Sequence, residues 1–191
     1  MDTLYLHEEI LLIVLNDEKG TEHWGTEQYQ YVLAGAIVAE LALADRIVVD
    51  SDKKKLVNVI SEEPFGNQLL DEALESISTA KRRKNLKGWV QKFVHISKMK
   101  NRIAEGLCQK GILRQEEGRF LLLFSRKTYP EENPLPERAL IQRLRDAIFN
   151  DDSMVDTRTA VLISLTYGPG LLAIPFDSKE LRGAKKRILK I

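Results

Sequence analysis

The sequence predicts a mainly α fold: a central helical bundle surrounded by amphipathic helices, with small β-hairpins. Three observations carry this expectation. Apolar residues recur at helical spacing through most of the chain, two pairs of β-prone runs are joined by short polar turns, and no internal repeat or long linker interrupts them. With 191 residues, 43% of them hydrophobic and 30% charged, the chain can fill one core and solvate its surface. A single domain over residues 1–191 is therefore expected.

The first element begins near Leu4, where Thr3 is placed to cap it, and runs through Ile10 to Leu15 until Asn16, Asp17 and Gly20 stop it. Thr26 and Glu27 open a second helix that is apolar on nearly every side. Leu33, Ile37 and Leu41 form one stripe, and Val32, Ala36 and Leu43 widen it. Such a helix belongs at the centre of a bundle, and its small residues Ala34, Gly35, Ala36, Ala39 and Ala42 let neighbours approach closely. Glu40 is out of character there. It reads as a structural carboxylate paired with an arginine or a helix amino end, the alternative being a catalytic acid with a raised pKa.

Residues 46–49 and 56–60 are β-prone and flank Ser51, Asp52 and Lys53, which is a hairpin pattern. Residues 67–78 form an amphipathic helix with Leu69, Leu70, Leu74 and Ile77 on one face. After Lys81-Arg82-Arg83-Lys84 come a helix around Trp89 and Phe93 and another over 97–110, with Met99, Ile103 and Leu107 inward and Gly111 at its end. Ile112 and Leu113, a turn at Glu116-Glu117-Gly118, and residues 120–124 predict a second hairpin. Asn133-Pro134-Leu135-Pro136 punctuates the chain before a helix carrying Leu140, Leu144, Ala147 and Ile148, and further helices follow at 157–166 and 178–190.

The formal net charge is only +1, so no global excess draws the molecule to nucleic acid or membrane. The local distribution is uneven. Residues 1–30 hold seven acids against Lys19, whereas residues 81–110 hold ten bases against Glu105. A run so one-sided is either a solvated face or the contact for an anionic partner. One cysteine, Cys108, forbids an internal disulfide and, lying in an apolar helical pattern, is read as a packing residue; a reducing cytosol is expected. The amino end carries acids where an export signal carries bases, and the apolar stretch 29–44, interrupted by Gln30 and Glu40, falls short of the roughly 20 residues that span a bilayer.

Catalytic signatures do not emerge. His7, His23 and His95 have no metal-ligand spacing, Gly168-Pro169-Gly170 lacks the context of a phosphate loop, and no cofactor is implied. Helix 98–110 followed by a two-stranded wing is winged-helix-like, with Lys98, Asn101 and Arg102 as recognition residues. An acidic wing tip at Glu116 and Glu117 opposes phosphate contact, which makes nucleic acid the alternative partner only.

Five stretches, in order, resemble the Golgi phosphoprotein 3 family of peripheral membrane proteins. They are Leu6-His7-Glu8-Glu9-Ile10-Leu11-Leu12 with Asp17-Glu18-Lys19-Gly20; Ala34-Gly35 through Glu40-Leu41-Ala42-Leu43 to Arg46-Ile47; Leu69-Leu70-Asp71-Glu72-Ala73-Leu74; Arg102-Ile103-Ala104-Glu105 to Lys110-Gly111-Ile112-Leu113; and Phe120-Leu121-Leu122. The resemblance implies a compact helical fold, no enzymatic activity, and binding of phosphatidylinositol 4-phosphate through a basic face at the cytosolic side of a membrane. Carried over residue by residue, the head-group site falls on Trp24, Ser97 and Lys100, with Lys98 and Arg102 adjacent and the family's central arginine replaced by Ala34. Beyond the pocket, the ten-base run offers a looser affinity for anionic phospholipid, worth about 1 kcal/mol per basic residue near the surface. Relatives carry an apolar hairpin tip, where Ser125-Arg126-Lys127-Thr128-Tyr129-Pro130-Glu131-Glu132 is mostly polar, and a further apolar helix, which has no counterpart after Lys190-Ile191. Exposed apolar surface there predicts a homodimer or higher oligomer.

Overall fold

A computed structural model describes residues 4–16, 18–22, 29–120, 124–150 and 152–191. Its element order is α1 (Leu6–Val14), α2 (Tyr29–Leu43), β1 (Ile47–Val49), β2 (Val57–Val59), α3 (Gln68–Ser78), α4 (Leu86–Phe93), α5 (Met99–Gln109), β3 (Glu116–Phe120), β4 (Phe124–Thr128), α6 (Leu135–Phe149), α7 (Thr157–Tyr167), α8 (Ser178–Gly183) and α9 (Lys185–Ile188), with a 3-10 turn at Leu171–Ala173 between α7 and α8. The fold is mainly α, and its only described sheets are two antiparallel pairs, β1 with β2 and β3 with β4.

Helix α2 is central because it has almost nothing to offer water. It packs against α1, α3, α4 and α7, and Leu33, Ala34, Ala36, Ile37 and Leu41 are fully buried. Its small residues act as expected: a Cβ added at Gly35 would lie 3.2 Å from Leu165 of α7, so the two helices meet at glycine distance. Helix α1 is enclosed more completely still, with all nine of its residues buried among α2, α5, α6 and α7. Three of those nine are polar, His7, Glu8 and Glu9, and each buried charge needs a partner. Glu8 receives Lys110 at 2.7 Å, and Glu9 receives Arg143 at 2.7 Å. Burial, reinforced by Lys110 and Arg158, lowers the His7 pKa to about 3 and keeps the ring neutral.

Helix starts follow side-chain caps placed by the sequence. Asn67 accepts from the Leu69 and Leu70 amides, Asn85 from Gly88, Asp156 from Thr159, and Asp177 from Lys179 and Glu180. Thr3 and the Thr26-Glu27 start lie outside the described residues. The helix expected over 178–190 is divided into α8 and α9; Leu181 and Ile188 are buried, Leu189 is exposed, and α9 packs on α6. Arg187 ties that corner by donating to the carbonyls of Ala147 and Ser153 at 2.7 and 2.9 Å.

The second hairpin departs from expectation. Glu116-Glu117-Gly118 does not turn: it opens β3, which pairs with β4 in the register Glu116↔Thr128 to Phe120↔Phe124. Ile112 and Leu113 are core residues after α5, and Leu113 makes only an isolated bridge to Glu131. Turn-forming residue types suggested the earlier position, but the cross-strand ladder overrides them. The polar Ser125-Arg126-Lys127-Thr128 accordingly lies within strand β4. Residues 121–123 themselves lie outside the described residues.

Candidate functional site

Helix α5 starts in an unusual way. Its N-cap is Lys98, held in the left-handed region at φ +54°, and no side-chain hydrogen bond caps the helix. A non-glycine residue in that region costs roughly 1–2 kcal/mol. The first amides of α5 thus lack the side-chain acceptor that Asn67, Asn85, Asp156 and Asp177 supply to other helices, leaving a partly positive end directed outward. It opens on a cleft of about 680 Å³ lined by Glu22, Gln30, Lys98, Lys100, Asn101 and Lys127, with Val94 and Ile96 behind.

Charges in this cleft are partly committed. Lys100 lies 2.9 Å from Glu22, whose carboxylate also accepts from the Tyr29 hydroxyl at 2.9 Å. Burial raises the Glu22 pKa, but the bond from its own backbone amide and the contacts with Lys100 and Tyr29 outweigh it, so Glu22 is held below the ordinary carboxylate range. Lys100 also sits 6.0 Å over the Tyr129 ring. Lys127 reaches Glu105 at 2.9 Å, a hydrogen bond that raises its pKa despite slight desolvation. Lys98 is exposed and has no ion-pair partner among the described residues. An anion entering here meets one uncommitted ammonium, the α5 amides, and two lysines shared with carboxylates.

The five residues expected at the site separate. Lys98 and Lys100 line the cleft, and Ser97 is exposed beside them. Arg102 points elsewhere: it pairs with Glu72 at 2.6 Å and lines a different cleft with His7, Glu8 and Glu105. Trp24 lies outside the described residues. Lys127 and Glu22 were missed by sequence reasoning. Lys127 was legible in part, since its two-residue spacing from Tyr129 puts both on one side of an extended segment. Glu22 gave no local signal, because a contact with Lys100 across the fold places it.

Glu40 has the structural partners expected of a buried carboxylate. Its carboxylate accepts from the Leu6 amide at 2.6 Å and from Arg158 at 2.8 and 2.9 Å, so both proposed structural partners, an arginine and a helix amino end, are present together. Cys108 is half-buried against the core and burial raises its thiol pKa, which is the chemistry of a packing residue. Among the described residues no three His, Cys, Asp or Glu converge as metal ligands, and no helix is long and apolar enough to cross a membrane. The recognition-helix reading of α5 meets the obstacle that α5 packs on both α1 and α3.

Fold and cleft together define a mainly α protein built round an apolar central helix, with a lysine-bearing helix end open at its surface. The chain belongs to the Golgi phosphoprotein 3 family: the family model described as Golgi phosphoprotein 3 (GPP34) matches residues 6–191. It is similar to vacuolar protein sorting-associated protein 74 of Eremothecium gossypii, at 32% identity over 160 residues, covering 74% of this chain and 48% of the relative. The chain thus spans about half the length of that curated relative.

Proposed function

We propose that the protein is a non-enzymatic peripheral membrane protein that binds anionic phospholipid head groups, phosphatidylinositol 4-phosphate foremost, at the cytosolic face of a membrane. The observation that carries this reading is the uncapped amino end of α5 opening into a cleft beside Lys98 and Lys100. A phosphomonoester suits it, because helix amides and ammonium groups both donate to phosphate oxygens. Strain at Lys98 is consistent with a residue held for binding, since left-handed non-glycine residues cluster at ligand sites. Glu22 acts as an internal competitor for Lys100.

Liposome co-sedimentation tests the reading. Phosphatidylcholine vesicles carrying phosphatidylinositol 4-phosphate should retain the protein at low salt, and Lys98→Ala with Lys100→Ala should release it. Equal sedimentation with neutral vesicles sinks the proposal. The reading includes self-association, for which exposed Met154 and Leu189 offer apolar contact; a strictly monomeric mass by light scattering at micromolar concentration would remove that part.

A further inference from the structure

Two basic runs distant in sequence are brought together at the other end of α4. The β1–β2 turn carries Lys53, Lys54 and Lys55, and the segment entering α4 carries Lys81, Arg82, Arg83, Lys84 and Lys87; all eight are exposed. The backbone joins the two runs directly: the Val57 amide donates to the Lys84 carbonyl at 2.9 Å, and Leu56 bridges Asn85. Arg83 locks the junction by donating to Asp50 at 3.1 Å and to Asn58.

The two acids of this region are turned to structural use. Asp50 accepts from Arg83 and Asn58, and Asp52 accepts from the Lys54 and Lys55 amides at 3.0 Å. Apart from Arg83, the bases have no ion-pair partner among the described residues, so eight bases face water against two acids. In the middle, between Lys84 and Lys87, stands Leu86, an exposed apolar side chain.

We propose that this surface is a second membrane contact, one that rests on anionic phospholipid irrespective of head-group identity. Three features favour a lipid surface. Seven of the eight bases are free of carboxylates, six of those seven are lysines, and a lysine is a compact point charge suited to a diffuse anionic layer rather than to a planar fork contact. Leu86 within the cluster matches the apolar contact of an interfacial helix end. The cluster also lies at the start of α4, whose eight residues rise about 12 Å, while Val94 and Ile96 just past its end line the head-group cleft. One short helix thus spaces the two contacts, and the inference extends the membrane reading above without depending on the cleft.

The experiment uses the full chain and vesicles of phosphatidylcholine with phosphatidylserine and no phosphoinositide. The parent protein should bind them with strong salt dependence. Lys53→Gln/Lys54→Gln/Lys55→Gln should weaken that binding by on the order of a hundredfold, and Lys81→Gln/Arg82→Gln/Lys84→Gln/Lys87→Gln by at least as much, with circular dichroism unchanged. Lys98→Ala should reduce the extra affinity for phosphatidylinositol 4-phosphate, a preference that the two multiple variants should keep. Phosphatidylserine binding equal in parent and both multiple variants overturns the proposal. A duplex oligonucleotide provides the counter-test: if the variants lose duplex affinity but keep vesicle affinity, the face is a nucleic-acid surface and the proposal is overturned. Loss of phosphoinositide preference alone removes the cleft reading and leaves this one standing.

Discussion

Arg158 of α7 holds both carboxylate oxygens of Glu40 in α2, at 2.8 and 2.9 Å across 118 residues of sequence, and donates to the Leu4 carbonyl at 2.6 Å as well. The fork therefore ties α7 to the central helix and to the entry of α1, whose Leu6 amide occupies the remaining reach of Glu40. Glu9 lies 3.9 Å from the same guanidinium. Removing one partner leaves buried charge uncompensated.

Arg158→Met should accordingly destabilise the protein by about 3–5 kcal/mol, whereas Arg158→Lys, which keeps the charge but not the planar fork, should cost less. Urea unfolding midpoints with unchanged slopes would measure both. Equal losses would show that the planar fork, and not charge alone, supplies the tie.

His7 gives the fold a pH dependence whose sign can be worked out. The folded pKa is lowered from 6.5 to about 3 by burial and by Lys110 and Arg158. Below pH 6.5 the unfolded chain takes up a proton that the folded chain refuses, so stability is complete above that pH and falls as pH drops toward about 3, by at most about 1.4 kcal/mol per pH unit. Glu9 opposes this near its own titration: burial, only partly offset by Arg143, raises its folded pKa, so the folded chain takes that proton first. His7→Phe keeps the stack on Tyr5 and removes the titration. Its stability should fall less than the parent's between pH 6.5 and 4.5, a comparison made by denaturant titration across that window.

Lys98→Gly separates strain from binding. Relief of the left-handed backbone, less the entropy of an added glycine, should stabilise the fold by about 0.5–1 kcal/mol. Loss of the free ammonium should weaken binding to phosphatidylinositol 4-phosphate vesicles about fivefold. Thermal melting and co-sedimentation on the same sample would show the two effects moving in opposite directions; a variant that binds as well as the parent would take Lys98 out of the cleft.

Glu22→Gln should release Lys100 into the cleft and increase phosphoinositide affinity several-fold, about what one added nearby charge contributes. A decrease would mean that Glu22 positions the lysine rather than competing for it.

Gly20 is a backbone test. At φ +58° it packs against Tyr129 and Pro130 so closely that a Cβ would overlap their backbone atoms. It also accepts from the Tyr129 amide at 3.0 Å. Gly20→Ala should cost more than about 2 kcal/mol, read from urea unfolding.

These sites also mark where the sequence was readable. The all-round apolar character of α2 announced its central place, and the isolation of Glu40 within it announced a partner, because a buried charge cannot stand alone. Neither feature named Arg158, since nothing local points across so many residues. Lys98 and Arg102 looked interchangeable as neighbours of Lys100, yet Arg102 is drawn to Glu72 in a different cleft, a contact across the fold that no local pattern announces. The β3–β4 register was hidden because charged residues and a glycine imitate a turn, while the pairing that overrules them is made by β4. Lys53 to Lys55 carried no meaning until the first hairpin folded beside residues 81–87.

Full enclosure of α1 has a consequence during synthesis. The segment is made well before Lys110, Arg143 and Arg158, the bases that neutralise Glu8 and Glu9 or tie α1 to Glu40. At about 5–20 residues per second, the apolar helix waits on the order of ten seconds for them. A ribosome-bound chain in that interval presents Ile10, Leu11, Leu12 and Ile13 with no finished core to receive them. Products that stop short of Arg158 should therefore aggregate instead of folding as a smaller domain, an outcome that light scattering of such chains would show.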